Sequence, residues 1–352
     1  MNALLRWLAV IAVCLHTGVA LAQSISIPLP TLPKPADGAV ELRVVYVSNP
    51  RLPEMIDAQM QLLLNTAQQG MLEHFGLRVR FNQPDKLDIA SLFQRFARGH
   101  IRRLGASIYD FKSGRGDAAR LRKAYVEGLG RNKDDLAAQI DYVQPYLLGP
   151  LLSRTYEGLG DALMHTHLAR LRQFRDQRMP DGAPLLDDTP YNEYMYWGSL
   201  DLIRLPYEVV ITNQLIASAE YEDVEVHSAI RGGISNGITA QNGAARHWAT
   251  SVVSAYPFIG SDETTRELRG KESYPPEVAA RYAGYLLVHE LGHQLLHLGH
   301  PYGRRACVMN PVELLHFRLW VTRFSAKDCP MASSGAMAPG FIKMPLPQGV
   351  KP

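Results

Sequence analysis

The stretch from Val278 to Leu298 contains no proline, and its apolar residues recur at helical spacing: Val278, Tyr282, Tyr285, Leu286, Leu291, Leu295, Leu296 and Leu298. Pro275 and Pro276 precede it, and Gly299 with Pro301 follows it, which are start and stop signals for a helix. Within it stands His289-Glu290-Leu291-Gly292-His293, an HExxH pattern. Positions four apart share one helix face, about 6 Å apart along the axis, so both imidazoles can reach one Zn²⁺ at about 2.1 Å. Glu290 projects about 100° round from His289, beside the place of a metal-bound water, where it can take a proton as general base. A solvated helix can carry His-Glu-His without any chemistry. The helical context and the further histidines nearby, His297 and His300, favour the metal.

The first 22 residues read as a secretory signal peptide: Arg6, an apolar run from Leu8 to Leu15, then Ala20-Leu21-Ala22 as a cleavage site before Gln23. An uncleaved anchor is the alternative. The expected location is the periplasm or the exterior, and no later stretch is long and apolar enough to cross a bilayer. The chain has 37 Lys and Arg against 34 Asp and Glu, a charge of +3, and loss of Arg6 leaves +2. That average implies neither nucleic acid nor an anionic membrane as partner. Of three cysteines, Cys14 leaves with the leader, so Cys307 and Cys329 can pair in an oxidising compartment or remain two buried thiols.

Residues 23–40 are proline-rich and predict an extended lead-in. Glu41–Ser48 predicts a buried strand, Leu52–His74 a helix with core methionines, and Leu77–Phe81 a second strand. From about 86 to 200 the character is helical, an insertion within a domain running from 41 to 332. His165 and His167 lie on different helix faces and read as solvated; Tyr191, Tyr194, Tyr196 and Trp197 read as core or as a cleft lining. Strand character returns at Tyr207–Thr212 and His247–Ile259, with a glycine-rich loop or irregular edge strand over Ile230–Gly243. The tail from Ser333 predicts disorder.

Beyond the helix, Cys307-Val308-Met309-Asn310 follows HELGH, a glycine and a histidine. This arrangement, over about forty residues, resembles the metzincin zinc peptidases, archaemetzincins most closely. The resemblance implies an α+β, zincin-type fold: a mixed twisted sheet, an HExxH active-site helix and here a helical insertion. It further implies one zinc per chain, a methionine turn with Met309 beneath the ligands, and an edge strand that pairs with extended substrate. Two departures stand out: the position six after His293 is Gly299, with His300 one later, and Leu296 replaces the family's glycine. Pro301 and Ala332 stand where two cysteines of the archaemetzincin second zinc site would be, so a second zinc is not expected and a Cys307–Cys329 disulfide fits.

The third ligand stays open among three residues. His300 follows Gly299, which can turn the chain back toward the metal. His297 lies about 6 Å beyond His293 on an unbroken helix. Glu313 stands twenty residues after His293, a spacing resembling the thermolysin-like group. The expected function is an exported zinc metalloendopeptidase acting on peptide or protein substrates, with Glu290 as general base. The alternative is a non-catalytic zinc-binding or degenerate peptidase-fold module in the periplasm, which has no need of Glu290. Substrate specificity, oligomeric state and the oxyanion partner are not legible; Tyr302 is merely close in sequence.

Overall fold

The computed structural model describes residues 24–28, 38–131, 136–221, 230–236, 239–241, 244–246, 250–296, 298, 305–312, 316–327 and 341–345. The chain divides into two compact units. The larger comprises 32–238 and 248–337, and the smaller comprises 1–31, 239–247 and 338–352.

The larger unit is mixed α and β. Its principal elements are β1 (Val44–Ser48), α1 (Asp57–Phe75), β2 (Asp85–Asp88), α2 (Ala118–Arg131), α3 (Tyr156–Asp176), β3 (Val209–Thr212), β4 (Gly233–Asn236), β5 (Thr250–Ser254) and α4 (Pro276–Leu296). The sheet runs in the order β2-β1-β3-β5-β4. Its first four strands are parallel, and β4 lies antiparallel to β5 at one edge. Residues of β3 and β5 are buried throughout, as in strands covered on both faces. Side chains alternate between those faces: Val44, Tyr46, Val209, Ile211 and Val253 join one core, and Val45, Val47, Val210, Val252 and Ile234 the other.

α1 and α4 pack closely on the first face. A Cβ on Gly284 would lie 2.7 Å from the carbonyl oxygen of Leu63, and one on Gly70 would lie 2.6 Å from Val288 Cγ2, so small residues on both helices permit the approach. α4 is buried on most sides, from Ala279 to Leu295, which explains its weak amphipathicity. It begins at Pro276, two residues before the predicted start, because proline fits the first helical turn. The opposite face is covered by an aromatic group, Phe93, Phe96, Tyr194, Tyr196 and Trp197, with Trp197 fully buried. That group is therefore core and not a cleft lining.

Several expectations need correction. Glu41–Ser48 is two strands, Ala39–Leu42 (parallel to Arg78–Phe81) and β1, separated at Arg43, whose backbone N–H and guanidinium both turn to the Glu208 carboxylate. His247–Ile259 is not one strand: β5 ends at Ser254 and Tyr256–Ile259 is a helical turn, with Pro257 pre-setting the backbone at its start. Asp85–Asp88, placed in the insertion, is sheet strand β2, and the helices between it and β3 run from Ile89 to Ile203 with one short strand, Ile108–Tyr109. In the smaller unit, Phe341–Pro345 pairs antiparallel with Ser24–Pro28, so part of the tail expected to be disordered is a strand; its Phe341 and Ile342 find register partners in Pro28 and Ile27. The hairpin Thr239–Gln241 with Ala244–Arg246 also belongs to that unit. Among the described residues no helix is long and apolar enough to cross a membrane.

Candidate metal centre

His289 and His293 project from α4 with their Nε2 atoms 3.0 Å apart. His289 Nδ1 donates to the carbonyl of Val308 at 2.7 Å, and His293 Nδ1 donates to the carbonyl of Leu298 at 2.5 Å. A carbonyl oxygen only accepts, so each neutral ring carries its proton on Nδ1 and turns the lone pair of Nε2 toward the other ring. Two such lone pairs repel at this distance unless a cation or a shared proton stands between them. Two ligands held 2.1 Å from a tetrahedral zinc are about 3.4 Å apart, so this pair fits the ion after a small relaxation. Carbonyls that fix the far nitrogen of a histidine are also the usual support of a metal-binding imidazole. Among the described residues no group of three or more His, Cys, Asp or Glu converges to hold a metal. The candidate third ligands His297, His300 and Glu313, and Tyr302, lie outside the described residues.

The carbonyl beneath His289 belongs to the tight turn Cys307–Asn310, closed by Asn310 N–H donating to Cys307 O at 2.9 Å. Met309 in this turn is fully buried, and its sulfur packs against Gly292, where a Cβ would lie only 2.3 Å away. A glycine between the two histidines therefore lets the methionine sit directly against the helix. Trp320 meets the His289 ring edge-on at 6.0 Å and donates Nε1–H to Asn310 O. Cys307 is disulfide-bonded and fully buried; its expected partner, Cys329, lies outside the described residues.

Glu290 is buried against β4, where the missing side chain of Gly233 leaves room for its carboxylate: a Cβ there would fall 2.0 Å from Oε1. Ser235, two residues along the same strand, places its hydroxyl 2.8 Å from Glu290 Oε2, 2.7 Å from the Glu290 carbonyl and 3.1 Å from Ser251 Oγ. Gln294 Nε2 donates to the Glu208 carbonyl, so its Oε1 is the acceptor for Ser251 at 2.6 Å. That commits the Ser251 proton and leaves the Ser235 proton for Glu290, where the charged oxygen is the stronger acceptor. The Glu208 end is fixed by Arg43, whose guanidinium is held above its usual range chiefly by its hydrogen bond to Glu208. Ser235, Ser251 and Gln294 escaped the sequence reading. Gln294 alone carried a signal, standing one helical turn after Glu290 on the same face.

Elsewhere, His165 is exposed, but His167 is buried and not solvated as expected, because its Nδ1 meets the Tyr125 hydroxyl of α2 at 2.9 Å. Burial raises the Tyr125 phenol above its ordinary range. A cavity of ≈ 400 Å³ lined by Tyr46, Met60 and Lys86, and one of ≈ 390 Å³ lined by Phe258, Arg269 and Tyr274, include none of the histidines or Glu290. No protein-family profile matches the chain, and neither the curated proteins nor the solved structures contain a match to it.

Proposed function

We propose that this chain is an exported zinc-dependent endopeptidase with a zincin-type fold. The observation that carries this reading is the pair of imidazoles fixed through Nδ1, with Glu290 between them in sequence and held by Ser235. The mixed sheet supports it, since the antiparallel edge strand β4 lies against the helix bearing both histidines. His289 and His293 would hold the zinc, with His300 as the favoured third ligand and His297 or Glu313 as alternatives. Bound zinc supplies Lewis acidity to a peptide carbonyl and to the attacking water. Glu290 takes the proton of that water and hands it to the departing amine. Ser235 holds Oε2 of that carboxylate and so fixes its orientation. The carbonyl of Val308 keeps the imidazole plane of His289 from rotating, and Met309 packs against the helix at Gly292.

The test is zinc content of the purified chain beside His300→Ala and Glu313→Ala, with peptide-library cleavage by the parent and by Glu290→Gln. One zinc per chain, lost with His300→Ala alone, and cleavage lost in Glu290→Gln are expected. Loss with Glu313→Ala instead moves the site to the thermolysin-like ligand set. Zinc without cleavage of any peptide would leave a binding module and overturn the enzymatic reading.

A further inference from the structure

We infer that the helix Arg98–Gly105, with the arginine just before it, is a docking surface for an anionic phospholipid bilayer. From Ile89 to Tyr109 the chain has no Asp or Glu and carries Arg95, Arg98, Arg102 and Arg103. All four are exposed. Among the described residues no carboxylate lies within ion-pair distance of any of them, whereas Arg43, Arg51 and Arg122 are each paired. The whole-chain charge of +3 averages this concentration away.

The patch rests on a rigid base. Leu104 and Phe96 are buried, Phe96 meets Tyr196 edge-on at 5.8 Å, and the Tyr196 hydroxyl donates to the Ile101 carbonyl at 3.2 Å. On the outer side Arg98, Ile101, Arg102 and Gly105 share one helix face. Ile101, 39% exposed, stands between two arginines whose aliphatic stems can lie along an acyl boundary while their charges meet phosphates. The aromatic rings here face the core, so a nucleic acid finds no stacking platform, and the bilayer is the better occupant. This inference is independent of the peptidase reading.

The test is co-sedimentation of the whole chain with vesicles of phosphatidylcholine containing about 30 mol% phosphatidylglycerol, in low salt, beside vesicles of phosphatidylcholine alone. The leader is common to every variant, so the comparison reads differences between variants. Each arginine at an anionic leaflet contributes about fivefold to partitioning, so Arg98→Ala with Arg102→Ala is expected to lower it about thirtyfold at unchanged melting temperature. The lysine pair, R98K with R102K, retains binding, as does a control with two other exposed arginines removed, R172A with R266A. The proposal is overturned if the alanine pair sediments like the parent, if the control pair loses as much, or if a labelled oligonucleotide binds while the anionic vesicles do not.

Discussion

The two faces of the central sheet are built from the same strands and do opposite things. Residues at alternate positions of β1, β3 and β5 point to α1 and α4 on one side and to the Phe93–Trp197 aromatic group on the other. On the helical side polar groups stand close to one another: two imidazoles with their Nε2 atoms 3.0 Å apart, and a carboxylate, two serines and a glutamine linked through hydroxyl hydrogen bonds. On the aromatic side ring packs against ring, Trp197 Nε1 donates to the Tyr191 carbonyl at 2.8 Å, and Arg231, paired with the buried Glu220, lies over the Tyr194 ring at 4.6 Å. Under the proposed function, the linked polar groups of the helical side would serve the chemistry, and the close packing of the aromatic side the scaffold. The lesson is that one sheet separates the two tasks by nothing more than the alternation of its side chains.

Substitutions on the two faces should therefore fail in different ways. Glu290→Gln is expected to lower peptide turnover by about 10²–10⁴-fold with zinc content and denaturation midpoint unchanged; a simultaneous loss of stability would erase the contrast. Trp197→Ala on the other face is expected to lose about 3–5 kcal/mol in urea unfolding while the remaining folded protein keeps its zinc. Gly292→Ala lies between the two, since its methyl group must displace Met309: a loss of about 1–3 kcal/mol together with weaker zinc retention is expected in melting and metal-release assays. Ser235→Ala, which removes one hydrogen bond to the carboxylate, is expected to lower kcat about tenfold and leave KM alone.

A pH-dependent effect concerns Glu193, near the aromatic side, whose carboxyl is pushed up to about 8 by burial first and by the charge of Glu220 second. Its folded value exceeds the ordinary 4.5, so the stability tied to its proton is complete below 4.5 and is lost as pH rises to about 8. Glu193→Gln should flatten that decline, and denaturation midpoints measured across the interval decide it.

Much of the helical side was legible. α4 is bracketed by prolines and free of them inside, and the two histidines and Glu290 stand within five residues of it, so local spacing suffices. What surrounds Glu290 was not legible, because Ser235 lies 55 residues away and reaches it only through the pairing of β4 with β5. The burial of His167 depends on a tyrosine 42 residues earlier, on another helix. The split at Arg43 depends on a carboxylate 165 residues later. Each miss is a long-range partner that overrides a local pattern. The arginine patch is a different kind of miss: its residues are contiguous, but a summed charge conceals a local one.

The disulfide at Cys307 has a bearing on timing. The next residue, Val308, supplies the carbonyl that orients His289, so the crosslink anchors the turn on which that imidazole leans. A chain still in a reducing compartment lacks this anchor, and its metal site should hold zinc less firmly; mild reduction of the purified protein followed by a metal-release assay checks this. Under the proposed function, maturation would follow arrival: the site would become competent only where thiols are oxidised, and the chain would stay latent in the cell that made it.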